Sequence, residues 1–157
     1  MKLVGGKKGR ALIIAAVLVA ASTVTVAWVV DRSERGVVLT VDTDKEEYAP
    51  GNPVTMYAQL KNYGFRTVTL VYPSSVVVQF SIYDSAGSRV FVGPTAGLAV
   101  ITDVVLEPGG TYNCEWVCDQ INLTGDQVEL PGSFTVIAVS HCYEHSFSAD
   151  IAISISD

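Results

Sequence analysis

From Ala11 to Val30 the chain runs twenty residues without a charge, ALIIAAVLVAASTVTVAWVV. At 1.5 Å rise per residue a helix of that length spans about 30 Å, the thickness of a bilayer's hydrocarbon core. No other feature constrains the chain so strongly. A soluble core helix needs a polar face, and this segment has none. Lys2, Lys7, Lys8 and Arg10 precede it with no acid among them, and Asp31 and Arg32 end it. Trp28 lies near the far end, where an amphipathic indole favours the interface. The positive-inside rule then sets residues 1–10 in the cytoplasm and residues 31–157 outside the cell membrane. Ala20, Ala21 and Ser22 are small enough for signal-peptide cleavage. The apolar run continues past them to Val30, which favours a retained single-pass anchor held by membrane lipid through residues 11–30.

Charge divides at the same boundary. Residues 31–157 hold six cations against all sixteen acids of the chain, a net charge of −10. Such a domain repels nucleic acid and excludes it as a partner. After a short polar linker, residues 31–36, about 120 residues remain, enough for one domain.

In residues 37–157 the hydrophobic period is two rather than 3.6. Val37, Leu39 and Val41 alternate with more polar neighbours; so do Val54, Met56, Ala58 and Leu60; so do Val78, Phe80 and Ile82; so do Ile151, Ile153 and Ile155. Phe134–Val139 is apolar at most positions, as in a central strand. Turn signals separate the runs: Pro50-Gly51-Asn52-Pro53, Asn62-Tyr63-Gly64, Asp84-Ser85-Ala86-Gly87, Gly93-Pro94, Pro108-Gly109-Gly110 and Pro131-Gly132. The spacing predicts about eight strands, over 37–43, 53–61, 67–72, 76–83, 89–92, 98–105, 111–118 and 133–140, with 149–156 as a last one if 89–92 is only a hairpin arm. Short antiparallel strands between Gly/Pro turns predict an all-β sandwich after one transmembrane helix. Trp116 shares its strand face with Tyr112 and both neighbouring cysteines. It is expected in the core, where truncation to Ala costs about 3–5 kcal/mol.

Three cysteines in an exported domain raise the question of a disulfide. Cys114 and Cys118, four apart on one strand, are separated by about 13 Å. A bridge needs Cα atoms within about 7 Å. The expectation is one disulfide from Cys142 to either of the two, leaving one thiol. His141, Cys142 and His145 form the alternative, a small metal site. The acids Asp42, Asp44, Glu46 and Glu47 read as a solvated strand edge that resists edge pairing. Asn122-Leu123-Thr124 is a glycosylation acceptor on the 119–131 connection. The catalytic motifs Gly-x-Ser-x-Gly and His-Glu-x-x-His do not occur, nor does a phosphate-cradling loop, so the reading is non-enzymatic and implies no cofactor.

Four segments, in order, resemble the BsuPI-type intracellular proteinase inhibitor domain. They are Tyr48-x-x-Gly51-x-Pro53-Val54, Phe80-x-Ile82-x-Asp84-x-x-Gly87-x-x-Val90-Phe91, Leu106-x-Pro108-Gly109-x-Thr111-Tyr112-x-x-x-Trp116, and Pro131-Gly132-Ser133-Phe134-Thr135-Val136. The resemblance covers residues 37–140. It implies an immunoglobulin-like sandwich and inhibition of subtilisin-type proteases, with an exported protease or another envelope protein as partner. The cysteines are additions to the family's pattern. The candidate binding loops are Gly93-Pro94-Thr95-Ala96-Gly97 and 119–131. The sequon at Asn122 makes the first the better candidate. A structural or accessory envelope protein without inhibitory activity is the alternative, and a metal-binding envelope protein a third.

Overall fold

Residues 36–120 and 131–156 are described by a computed structural model of the chain. The expected anchor over 11–30, most of the linker and the sequon at Asn122 lie outside the described residues. Among the described residues, no helix is long and apolar enough to cross a membrane.

The described chain is all-β. Its strands are β1 (Val37–Thr43), β2 (Glu47–Tyr48), β3 (Val54–Asn62), β4 (Val68–Tyr72), β5 (Gln79–Tyr83), β6 (Arg89–Gly93), β7 (Thr102–Leu106), β8 (Thr111–Cys118), β9 (Gly132–His141) and β10 (Ser146–Ile155). They form a three-stranded sheet β1-β3-β8, a five-stranded sheet β2-β10-β9-β5-β6 and a pair β4-β7. Every pairing is antiparallel except β2 with β10, where Glu47 and Tyr48 lie parallel to Ser154 and Ile155.

Alternation of side chains sets the packing. On β1 and β3 the apolar positions Val37, Leu39, Val41, Val54, Met56, Ala58 and Leu60 are all buried. They face Phe80 and Ile82 of β5, Phe134, Val136 and Ala138 of β9, and Phe147, Ile153 and Ile155 of β10 in one core. Each such Val, Leu, Ile or Phe contributes about 1.5–3 kcal/mol relative to exposure. Strand β9 lies between β10 and β5, with Phe134, Val136 and Ala138 buried on one face and Ile137 and Val139 half-buried on the other.

The polar groups inside the core are partnered. The Tyr72 and Ser140 hydroxyls lie 2.8 Å apart, both buried. Asn62, with no exposed surface, donates from Nδ2 to the carbonyls of Arg66 and Leu106 at 2.8 and 2.9 Å. Its Oδ1 accepts from the Gly64 N–H at 2.8 Å. One side chain thus ties the turn after β3 to the end of β7.

Trp116 departs from expectation. Its parity on β8 is inward, but the residue is 38% exposed. Strands β8 and β6 are the edge strands of their sheets. The indole spans the rim between them and lies on Gly93 instead of filling the centre.

Candidate protein-binding loop

Strand β6 ends at Gly93, and β7 begins at Thr102. The expected strand start at 98 is therefore displaced, and Pro94–Ile101 forms one eight-residue loop. Gly93 itself is buried beneath Trp116, and the peptide to Pro94 is cis. The Pro94 carbonyl accepts from Gln79 Nε2 at 3.3 Å.

The middle of the loop is held from both sides. The Ser75 N–H donates to the Leu98 carbonyl at 3.1 Å, and the Leu98 N–H donates to Ser75 Oγ at 2.9 Å. Gly97 sits so close to Val76 that a β-carbon there would lie 2.6 Å from Cγ2. A groove of about 270 Å³ runs beside it, bounded by Pro73, Val76, Gln79, Pro94 and His141. Beyond the groove Leu98, Val100 and Ile101 are 73%, 49% and 65% exposed.

Of the sequence candidates, Thr95, Ala96 and Gly97 are exposed on this loop, whereas Gly93 belongs to the packed strand end and Pro94 is half-buried. Leu98, Val100 and Ile101 were missed because they read as strand. Their signal is the run Leu98-Ala99-Val100-Ile101, apolar throughout and so without the alternation of a half-exposed strand. The other candidate loop is described only at its root. There buried Gln120, at φ 55°, accepts from the Gly51 N–H through Oε1 and donates from Nε2 to the Ala49 carbonyl.

The expected disulfide is corrected: no two cysteines lie at bridging distance. Cys114 and Cys118 occupy different registers of β8, opposite Ala58 and Val54. Cys142 lies in the β9–β10 turn, where its Sγ donates to the His145 carbonyl at 3.3 Å. Burial pushes the Cys114 thiol above the ordinary range, which disfavours its thiolate.

The metal candidates also part company. His141 borders the loop groove, whereas His145 lies beside Cys142, Glu144 and Val71 and packs on Phe147 with ring centroids 6.2 Å apart. Its Nε2 is buried without a hydrogen bond, 3.9 Å from Glu144 Oε2. Among the described residues, no group of three His, Cys, Asp or Glu converges as a metal site. In the acidic cluster, Asp44 has a structural task. Its Oδ1 accepts from Tyr48 Oη at 2.7 Å and from the Thr55 N–H at 3.0 Å. The Tyr48 bond holds the Asp44 carboxyl below its ordinary range.

No protein-family model and no curated protein matches the chain. Among solved structures, it is similar to the sporulation control protein Spo0M from Bacillus subtilis at 12% identity and a TM-score of 0.49, over 78% of this chain and 50% of that one. It is similar to the β-glucosidase EmGH1 from Erythrobacter marinus at 18% identity and a TM-score of 0.48, over 76% of this chain and 15% of that one. It is also similar to a cycloisomaltooligosaccharide glucanotransferase from Paenibacillus sp. at 21% identity and a TM-score of 0.47, over 74% and 13%. The chain spans half or less of the length of each of these structures.

Proposed function

We propose that this protein is a single-pass, N-in membrane protein whose immunoglobulin-like sandwich, related to the BsuPI-type inhibitor domain, binds another protein outside the cytoplasm through the Pro94–Ile101 loop. The observation that carries the reading is the exposure of Leu98, Val100 and Ile101 on a loop pinned at Ser75. Apolar side chains clustered on a surface mark a contact site for a partner. Pinning the loop in advance lowers the ordering cost of binding. An exported subtilisin-type protease is the partner that the sequence resemblance favours.

The full-length protein in detergent, titrated into subtilisin during peptide hydrolysis, should reduce activity in a saturable, stoichiometric manner. Leu98→Asp together with Ile101→Asp should abolish the effect without lowering the melting temperature by more than a degree or two. Undiminished hydrolysis, or steady digestion of the protein, would reject that partner. The topology is tested separately. Protease added to cells stripped of outer layers should remove residues 31–157, while the full-length chain should resist extraction from membranes by alkaline carbonate.

A further inference from the structure

The turn between β3 and β4 carries Phe65, which at 97% exposed is the most exposed large hydrophobic side chain among the described residues. Tyr63 beside it is 52% exposed, with Lys61 Nζ 4.8 Å from its ring centroid. Arg66 follows, also exposed. The turn is rigidly built: two hydrogen bonds of the buried Asn62 side chain, to Arg66 and from Gly64, close it, and a third ties it to Leu106 of β7.

Its position is fixed against the start of the fold. The Gly36 carbonyl accepts from the Tyr63 N–H at 2.9 Å. Gly36 has φ 73°, and a β-carbon there would lie 2.9 Å from the Gly64 nitrogen, so only glycine fits. Val30, the last residue of the apolar run, precedes Gly36 by six positions. Even fully extended, that link reaches only about 20 Å. The Phe65 turn is therefore held at the end of the domain that faces the bilayer.

Charge has the same polarity. Arg32, Arg35, Lys61 and Arg66 in the linker and this turn stand against Asp31, Glu34, Glu107 and Glu144, the last in the β9–β10 turn at the same end, four cations to four acids. The remainder of residues 31–157 carries two cations against twelve acids. An anionic lipid surface repels that remainder and tolerates this end.

We propose that the Tyr63–Arg66 turn docks onto the phospholipid interface of the bilayer that residues 11–30 enter, with Phe65 at the headgroup–acyl boundary and Arg66 and Lys61 among the headgroup phosphates. Aromatic rings favour that depth, and cations beside them favour the phosphates. The inference rests on the anchor reading and adds an orientation to it. The domain stands on this turn and projects its opposite end away from the membrane. That end holds the Ser85–Ser88 turn, because Tyr83 pairs with Thr135 close to Gly132, Gly132 with Ile155, and Ile155 with Tyr48 just past the end of β1.

The test uses the full chain reconstituted in vesicles of phosphatidylcholine and phosphatidylglycerol, with and without bromine near the carbonyl end of the acyl chains. Native Trp28 reports the anchor, and the variants Phe65→Trp and Ala86→Trp report the two ends of the domain. Docking predicts that bromine quenches wild-type emission through Trp28. Phe65→Trp should show a blue-shifted component with at least twofold more quenching than wild type, and Ala86→Trp no excess. Quenched wild type with no excess in Phe65→Trp would leave the anchor standing and overturn docking. Excess quenching in Phe65→Trp over a silent wild type would uphold docking and remove the anchor. A blue shift in Phe65→Trp without quenching would show a protein surface covering the turn, a second copy included, and would overturn the proposal, as would silence in all three proteins.

Discussion

The indole of Trp116 lies so close to the Gly93 backbone that a β-carbon at Gly93 would sit 2.4 Å from Nε1. Phe91 Cζ would be 2.9 Å away. The two edge strands β6 and β8 are closed together there by one large residue seated on the smallest one. Gly93→Ala should therefore cost about 1–3 kcal/mol through overpacking. Trp116→Ala should cost about 2 kcal/mol, below the roughly 3–5 of a fully buried aromatic. The double variant should lose clearly less than the two single losses added, because the two indole contacts, the nearest among them, are then gone and only Phe91 Cζ must give way. Denaturant midpoints for the four proteins check this; simple additivity would mean that the two residues do not interact.

Tyr72 and Ser140 form the buried polar pair between β4 and β9. Tyr72→Phe strands the Ser140 hydroxyl, and Ser140→Ala strands the phenol. Each should cost about 1–3 kcal/mol. Combining them should recover part of the loss, since neither polar atom is then left buried alone. Equilibrium unfolding of the cycle gives the coupling energy.

Burial, followed by the Asp44 bond, pushes the Tyr48 phenol up to about 12; burial pushes Tyr72 up to about 12 as well. An unfolded phenol titrates near 10. The folded state therefore holds these protons more tightly. Their contribution to stability is full below about pH 10 and is lost as the pH climbs through about 12. Stability measured against alkaline pH should fall across that window, more shallowly in Tyr72→Phe. Asp44 acts in the opposite sense: its lowered value contributes above the ordinary 3.8 and the contribution disappears as the pH falls through the lowered one.

Asn62 donates to two carbonyls and accepts one N–H. Asn62→Ala should cost about 3 kcal/mol, near 1 kcal/mol for each lost bond. Asn62→Asp, almost the same shape, should cost more, because a carboxylate would then face the Arg66 and Leu106 carbonyls. Hydrogen exchange should rise first at Tyr63 and Gly64. Equal stability of the Asp variant at neutral pH would reject the assigned amide orientation.

All three cysteines should be alkylated in denaturant without reductant, with no mass change when reductant is added. In the native protein Cys118, 2% exposed, should react slowest, and Cys114 slowly because its thiolate is disfavoured. A single alkylated cysteine would restore the bridge.

Much of the sheet structure was legible because alternation is a direct print of the pleat. Strands β1 and β8 occupy the residues expected of them, and the inward set of β3 is buried in full. Residues 98–101 were not legible. Their run breaks the alternation of a half-exposed strand, but it reads equally as a buried strand, and only the fold shows that Ser75 captures Leu98 and holds it outside the sheet. Trp116 failed for a related reason. Parity gives the face of a strand, but not whether that strand lies at the centre or at the edge of its sheet. Phe65 stood in view between two turn residues. Its meaning depended on Gly36, which is distant in sequence and adjacent in space.

The parallel contact of Glu47 and Tyr48 with Ser154 and Ile155 joins positions about a hundred residues apart. Of the ten strands among the described residues, β10 is the last to leave the ribosome. Before it arrives β9 lacks a neighbour along its whole length, and β2 has no sheet to join. A nascent chain halted before Ser146 therefore carries nine strands' worth of sequence and an open apolar edge, the condition in which chains pair with one another instead of with themselves. Closing so non-local a topology is slow. The interval between synthesis of β9 and capture of β10 is when this chain most needs a chaperone.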